Sequence, residues 1–129
     1  MRPAFESHNV LRTVRPILAA AAVYLLAVQS CFAAELLMYR QPGCPYCLTW
    51  DRVVGPVYPK TDLGKQAPVR MVDLKQPDQP RVELAARVIY TPTFVLVDDG
   101  REVGRIEGYP GEDFFWARLE KLVRSLPVR

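Results

Sequence analysis

Cys44 and Cys47 are separated by Pro45 and Tyr46 in a chain of 129 residues. Two thiols with this spacing can form a reversible disulfide, and the same spacing also supplies half of a zinc site. A static structural disulfide is disfavoured, because a bond that closes so short a loop constrains the unfolded chain little. The pair therefore indicates a redox centre in which one thiol attacks a disulfide and the other resolves the mixed disulfide.

The N-terminal residues determine which other groups can take part in this chemistry. Three arginines precede an apolar run over residues 17–28, and small residues follow the run, as in a secretory signal peptide. The run of about twelve residues is shorter than the roughly 20 that span a bilayer. We expect cleavage after Ala33, which gives a signal peptide over residues 1–33 and one domain over residues 34–129. A buried core helix is the alternative for the apolar run.

A second processing route ends in a lipid anchor. Residues Val28-Gln29-Ser30-Cys31 resemble a bacterial lipoprotein box, in which Cys31 is lipidated and becomes the first residue of the mature protein. Gln29 fits that pattern poorly, so we favour the product without an anchor. Neither route leaves Cys31 as a free thiol in the domain.

Removal of the leader changes both the charge and the set of metal ligands. The full chain has 17 Lys and Arg residues, 14 acidic residues and a net charge of +3. Three of the basic residues and one acid precede residue 34, so nothing indicates the clustered basic face that binds nucleic acid. His8, the single histidine, is lost as well. A Cys-His pair is then excluded, and a zinc site would need four thiolates shared across a dimer interface.

The residues around the cysteines predict a strand, a turn and a helix. An apolar strand over residues 36–39 is followed by Gln41-Pro42-Gly43, and Pro45 suits the first turn of a helix that Gly55-Pro56 ends. Cys44 is then at the helix N-terminus. Helix N–H groups and the helix dipole at such a position lower the pKa of a thiol below its usual value of about 8.5.

The rest of the domain contains further strands and helices. Periodicity and turn residues predict strands over residues 69–74, 93–97 and 101–107, with Asp98-Asp99-Gly100 as the hairpin turn between the last two. They predict helices over residues 79–88 and 112–126. The order of elements is βαβαββα, which is an α/β arrangement.

The combined pattern resembles the thioredoxin superfamily over residues 35–126. The resemblance rests on Gly43-Cys44-Pro45-Tyr46-Cys47 after the first strand, on Thr91-Pro92-Thr93 leading into Phe94-Val95-Leu96-Val97, and on the segment from Gly100 to Gly108. It implies a thioredoxin-like fold with a four-stranded mixed sheet flanked by helices. The Pro-Tyr dipeptide between the cysteines is similar to that of glutaredoxins, whereas the hairpin and last helix are closer to thioredoxin.

The resemblance also implies roles for single residues. Cys44 would attack a client disulfide, and the less exposed Cys47 would resolve the mixed disulfide. Pro92 would follow a cis peptide bond that leaves the backbone of Thr91 free to pair with an extended client. Tyr46 and Trp50 would line the approach to the thiols, although Trp50 is equally suited to ordinary packing.

Two positions bear on how these thiols are tuned. Met38 stands six residues before Cys44, where thioredoxins have a buried carboxylate, so a carboxylate-assisted deprotonation of Cys47 is not expected from that position. Glu112-Asp113 faintly resembles the acidic pair with which glutaredoxins hold glutathione. Acids at a helix N-terminus are also common for electrostatic reasons alone, so glutathione binding is a minor alternative.

The function implied is that of an exported protein disulfide reductase without a cofactor, acting on disulfides or mixed disulfides of periplasmic client proteins. A glutaredoxin-like dipeptide favours a potential of about −200 to −230 mV, which is typical of a reductase rather than an oxidase. In an oxidising compartment, a membrane thiol donor would have to reduce the protein again.

The leader, the small size and the cysteine motif are together similar to the periplasmic thioredoxins of bacterial sulfur-oxidation systems. That similarity implies a sulfur-carrier subunit as the client. A cytochrome c maturation thiol reductase is the nearest alternative, followed by a disulfide oxidase or isomerase. Outside the enzyme class, a binding module that uses the fold without redox turnover is a further alternative, which the intact cysteine pair disfavours.

Overall fold

One four-stranded sheet organises the part of the chain that the structure describes. The computed structural model describes residues 34–128, so the expected signal peptide, with His8 and Cys31, lies outside the described residues. The strands are β1 (Glu35–Arg40), β2 (Val69–Asp73), β3 (Thr93–Asp98) and β4 (Arg101–Glu107). The helices are α1 (Pro45–Val53), α2 (Asp62–Gln66) and α3 (Glu112–Arg124), with a 3₁₀ turn at Tyr58–Lys60.

The strands lie in the order β2-β1-β3-β4. β1 is parallel to β2 and antiparallel to β3, and β3 is antiparallel to β4, so the sheet is mixed, as the family resemblance implied. The hairpin turn between β3 and β4 lies at Asp99 and Gly100, whose φ angles are 49° and 73°. Asp-Gly is the dipeptide preferred where both central turn residues need positive φ.

Successive residues of β1 point to opposite sides of the sheet. Leu36 and Met38 lie on one side and Leu37 and Tyr39 on the other, and all four are at most 2% exposed. A strand that is buried on both faces reads as a continuous apolar run rather than as an alternation. The chain must therefore cover both faces of this sheet.

α1 and α3 cover one side, which we call the helix face. The sheet contributes Leu36, Met38, Phe94, Leu96 and Ile106 to this core. Aromatic rings fill the space between sheet and helices: the centroid of Phe115 on α3 lies 4.9 Å from that of Phe94 and 5.8 Å from that of Trp50. Such ring pairs add to the stabilisation that burial alone provides.

The other side, which we call the loop face, carries Leu37, Tyr39, Val72, Val95 and Val97. Irregular chain between β2 and β3 covers it, with Val88 buried and Leu74, Val82 and Leu84 partly buried against it. Within residues 34–128, no regular helix covers the apolar core of the loop face.

The helix predicted over residues 79–88 is wrong. The Glu83 N–H donates to the Gly100 carbonyl (2.8 Å) and the Glu102 N–H donates to the Glu83 carbonyl (2.9 Å), so Glu83 forms a bridge with the edge strand β4. Val82 and Leu84 on either side of Glu83 both reach the loop face. In an extended chain, successive side chains point to opposite sides, so Val82 and Leu84 can both face the sheet while the backbone of Glu83 pairs with β4. This pairing forms in place of the predicted helix.

Helix α2 was not predicted. The Thr61 side chain caps it by accepting a hydrogen bond from the Gly64 N–H (3.0 Å), and a Cβ on Gly64 would collide with the Tyr58 carbonyl oxygen. The Tyr58 ring is buried on the helix face, and its hydroxyl donates to the Ala67 carbonyl (2.7 Å).

Within residues 34–128, no helix has the length and apolar character needed to cross a membrane.

Candidate functional site

A disulfide joins Cys44 and Cys47 at the N-terminus of α1. Cys44 is the N-cap residue, and its Sγ accepts a hydrogen bond from the Cys47 N–H (3.2 Å). Pro45 occupies the first turn, where the missing N–H has no intrahelical partner to lose. The sulfur of Cys44 therefore lies at the positive end of the helix, which stabilises a negative charge.

The two sulfur-bearing residues differ in accessibility. Cys44 is 6% exposed, whereas Cys47 is fully buried in the core of the helix face. Met38 is also fully buried in that core, so a thioether occupies the position at which the family resemblance implied a carboxylate. Of the two cysteines, Cys44 is the more exposed.

The turn that presents Cys44 is fixed at both ends. Gly43 has φ of 77°, a region that favours glycine, and the Cys44 N–H donates to the Gln41 carbonyl (3.3 Å). Arg40 at the end of β1 forms two hydrogen bonds to the Asp51 carboxylate on α1 (2.7 and 3.0 Å). This bidentate ion pair ties the strand to the helix on either side of the turn.

The peptide bond between Thr91 and Pro92 is cis. The Pro92 carbonyl accepts a hydrogen bond from the Gly108 N–H (2.7 Å), and the Thr93 hydroxyl donates to the Tyr90 carbonyl (2.8 Å). The first bond ties the start of β3 to the end of β4, and the second closes the turn over residues 90–93. Thr91 therefore has a defined position at the end of the sheet.

A groove of about 490 Å³ runs from the cysteine motif to the end of β4. Tyr46 and Tyr90 line it and are more than half exposed, at 63% and 61%. Thr91, Glu107, Gly108, Tyr109 and Pro110 complete the lining. The groove brings Tyr46 and Thr91, which are far apart in sequence, onto one surface.

Tyr109 supplies a neutral hydroxyl to this groove. Burial raises the pKa of Tyr109, and the nearby carboxylate of Glu112 raises it further. Glu112 and Asp113, in the first turn of α3, are exposed. Glu112 of the acidic pair therefore lies near Tyr109 at one end of the groove.

A second cavity, of about 380 Å³, borders Cys44 on another side. Its lining includes Arg40, the exposed side chains of Leu48 and Met71, and Asp73. The described residues contain no group of three or more His, Cys, Asp or Glu side chains placed to hold a metal ion.

Trp50 is placed differently from the other predicted site residues. It is fully buried on the helix face, with its ring 5.5 Å from Phe94 and 5.9 Å from Tyr58. Its Nε1 has no hydrogen-bond partner among the described residues. This environment is that of a packing residue, the alternative that the sequence left open.

Sequence reasoning missed five residues of the groove: Tyr90, Glu107, Gly108, Tyr109 and Pro110. Tyr90 directly precedes the Thr91-Pro92 pair, so its proximity to that motif was a usable signal. Glu107 and Tyr109 are part of the groove because β4 pairs with β3 in a register that places Glu107 opposite Thr93. That register is a tertiary feature and was not readable from local pattern.

A family model for the thioredoxin-like domain matches residues 34–122, and the chain belongs to this family. The fold together with the Cys44–Cys47 pair defines a thiol-disulfide oxidoreductase. 

One solved structure in particular is similar to this chain. The chain is 51% identical to the periplasmic thioredoxin SoxS from Paracoccus pantotrophus, whose reduced form matches with a TM-score of 0.69, over 71% of this chain and 97% of that one. Two others show the fold alone. A thioredoxin-fold protein from Helicobacter pylori is 20% identical (TM-score 0.57, 72% and 70% covered), and a thioredoxin from Thermus thermophilus is 23% identical (0.54, 78% and 82%). The comparison with curated proteins gave no match.

Proposed function

We propose that this protein is an exported disulfide reductase that acts on disulfides and mixed disulfides of periplasmic client proteins. The observation that carries the proposal is the disulfide at the N-terminus of α1, whose neighbouring Tyr46 shares a groove with Thr91. Similarity to a periplasmic thioredoxin supports the compartment. A signal peptide over residues 1–33, cleaved after Ala33, provides the export.

The reaction has two exchange steps. The Cys44 thiolate attacks one sulfur of the client disulfide, a bond forms between that sulfur and Cys44, and the other client sulfur leaves as a thiolate that takes a proton from water. Cys47, deprotonated, then attacks Cys44 Sγ and releases the first client sulfur. The client gains two electrons and the protein loses two, ending with the Cys44–Cys47 disulfide. A membrane thiol donor restores the dithiol.

The division of labour between the thiols follows from their surroundings. Cys44 is partly accessible and caps the helix, whereas Cys47 is fully buried one helical turn further. The buried thiol of Cys47 cannot contact a client sulfur directly. Cys47 is three residues from Cys44 in the sequence, and it can reach a mixed disulfide formed on Cys44 Sγ. Cys44 therefore attacks and Cys47 resolves.

Thr91 provides the backbone that recognises the client. Among the described residues, neither its N–H nor its carbonyl has a hydrogen-bond partner, and the residue lines the groove. An extended client segment can pair with these groups as an added strand. Tyr46 and Tyr90, both largely exposed, provide apolar area on either side of that segment.

The client that we propose is a sulfur-carrier subunit of a sulfur-oxidation system. Its cysteine becomes blocked or disulfide-linked and has to be reduced before it can carry sulfur again. The support is the 51% identity to SoxS together with the cysteine motif. A cytochrome c maturation client is the competing assignment.

Trapping the client in the native host tests the assignment. Cys47→Ser leaves Cys44 able to attack but leaves the mixed disulfide unresolved, so the partner stays bound and its mass identifies it. The Cys44→Ser/Cys47→Ser double variant is the matched control and should trap nothing. Recovery of a sulfur-carrier subunit supports the proposal, whereas recovery of an apocytochrome c or its thiol carrier supports the competitor.

The direction of electron flow is tested separately. Equilibration of the protein against a glutathione or dithiothreitol redox series gives its reduction potential. We expect about −200 to −230 mV, the range of glutaredoxins. A potential above about −150 mV, close to that of periplasmic oxidases, would contradict the reductase assignment.

A further inference from the structure

The segment over residues 83–91 links the loop face to the client groove, and side chains of β4 hold it in place. We propose that the ion pair between Glu102 and Arg105 positions this segment for client binding, so that both are positioning residues for protein clients. The inference rests on the proposed function, because it concerns how the reductase recognises its client.

The ion pair binds the backbone of two consecutive residues of the segment. Arg105 donates from Nε and Nη2 to the two carboxylate oxygens of Glu102, each at 2.6 Å. The Ala85 N–H donates to Glu102 Oε2 (2.8 Å), and Arg105 Nη2 donates to the Ala86 carbonyl (2.7 Å). These side-chain hydrogen bonds replace the intrahelical hydrogen bonds that the segment would have formed in the predicted helix.

Burial makes these contacts consequential. The side chains of Arg105 and Glu102 are 14% and 4% exposed. A largely buried charge that loses its partner is strongly unfavourable. The two side chains and the backbone of the segment therefore serve as hydrogen-bond partners for one another. Removal of one partner weakens the contacts that remain.

A second ion pair joins the same segment to the same strand but differs in burial. Arg101 and Glu83 are 3.2 Å apart, with side chains 78% and 74% exposed. Exposed pairs of this kind contribute little to stability, because water solvates both charges when the side chains separate. This pair provides a matched control for the buried one.

The segment reaches the groove between two attachments. After Ala86, Val88 is buried on the loop face, Ile89 and Tyr90 are exposed at 71% and 61%, and Thr91 lines the groove. The second attachment comes from the Thr93 hydroxyl, which binds the Tyr90 carbonyl. Loss of the first attachment frees the chain that carries the groove wall, although Glu102 and Arg105 lie on the face of the sheet opposite to Cys44.

This arrangement separates protein clients from small disulfides. A small disulfide needs access to Cys44, which the helix face positions. A protein client also needs the wall that includes Tyr90 and Thr91. Weakening the Glu102–Arg105 pair should therefore impair the reduction of protein disulfides selectively.

The test compares Glu102→Gln with the control Glu83→Gln, both expressed from the full chain and fully reduced. Each is assayed with insulin as the protein disulfide and with bis(2-hydroxyethyl) disulfide as the small one. For Glu102→Gln we expect kcat/KM with insulin to fall by about tenfold, mainly through KM, as for loss of one charge-assisted hydrogen bond. The rate with the small disulfide, the reduction potential and all values for Glu83→Gln should stay within about twofold of wild type.

Two results would overturn the inference: unchanged insulin kinetics in Glu102→Gln, or equal losses with both disulfides. If Glu102→Gln does not fold, Arg105→Lys tests the inference instead. This substitution keeps the positive charge but removes the guanidinium group that also donates to the Ala86 carbonyl. Arg105→Lys should show a smaller insulin-specific loss and faster amide exchange over residues 85–91. Failure of the proposed function looks different, because the wild-type protein would then reduce neither disulfide.

Discussion

The two faces of the sheet solve the same burial problem by different means. On the helix face, α1 and α3 pack aromatic rings against β1 and β3, and the disulfide is part of that core. On the loop face, irregular chain is held by the side chains of Glu102 and Arg105 as well as by apolar contacts. Packing places the reacting sulfurs, whereas a polar tether supports one wall of the client groove. Substitutions on the two faces should therefore have separable effects.

The largest effect on stability is expected from Phe115→Ala on the helix face. Phe115 is fully buried against Phe94, Trp50 and Tyr58, so its removal leaves a cavity and should lower the free energy of unfolding by about 3–5 kcal/mol. Urea denaturation of the reduced and oxidised protein measures this loss. A loss below about 1 kcal/mol would show that the ring cluster does not hold the helices on the sheet.

Glu102→Gln should have the next largest effect, a loss of about 1–3 kcal/mol at neutral pH, because a buried hydrogen-bonded charge is removed. Hydrogen bonds from Arg105 hold the pKa of Glu102 below its usual value of 4.5, and the Ala85 N–H acts in the same direction. A depressed carboxyl pKa contributes stability that is present above the unfolded-state pKa and is lost as pH falls through the folded-state pKa.

The pH dependence sharpens that comparison. The difference in unfolding free energy between wild type and Glu102→Gln should be constant from pH 7 to about 5 and should shrink below about pH 4.5. Urea titrations at a series of pH values give the profile. Arg105, Glu107 and Tyr39 face Glu102 or its partner. A difference that grows on acidification would contradict the assignment of this profile to Glu102.

Two valines of similar burial test the faces directly. Val88 on the loop face is 7% exposed and Val123 on the helix face is 6% exposed. Each Val→Ala substitution should lower stability by about 1–2 kcal/mol through lost apolar burial. Only Val88→Ala should also raise KM for insulin, because Val88 anchors the groove wall. Equal kinetic effects of Val88→Ala and Val123→Ala would remove the distinction between the faces.

The smallest effect is expected from Arg101→Gln. Its partner Glu83 and its own side chain are both mostly exposed, so the change in unfolding free energy should be below about 1 kcal/mol. Thermal denaturation at low and high salt measures it. A larger loss would mean that the Glu83 bridge to β4 depends on the side-chain pair rather than on its backbone hydrogen bonds.

Helices α1 and α3 of the helix face were predictable because their signals are local. Pro45 and Gly55-Pro56 bound α1, and the spacing of apolar residues in α3 matches one helical face. Asp99-Gly100 specified the hairpin through its backbone preference. The cysteine motif and the Thr91-Pro92 pair were likewise visible in sequence, since each is a short run of residues.

The loop face was not predictable in the same way. Val82, Leu84 and Val88 can face one side of a helix or of an extended chain, and the choice was decided by partners on β4 that are distant in sequence. The local sequence does not distinguish Glu102 and Arg105, since Arg101 and Glu107 in the same strand are charged as well. The inward direction of Glu102 and Arg105 follows from the pairing of Arg105 with Val95, which only the sheet register defines.

The central claim is that Cys44 attacks and Cys47 resolves, and one measurement tests it most directly. Reduced Cys47→Ser and reduced Cys44→Ser, each expressed from the full chain, are mixed with insulin, quenched with acid at intervals and analysed by intact mass. We predict rapid accumulation of a mixed disulfide on Cys44 in Cys47→Ser and almost none in Cys44→Ser. Equal rates of mixed-disulfide formation in the two variants would contradict the account.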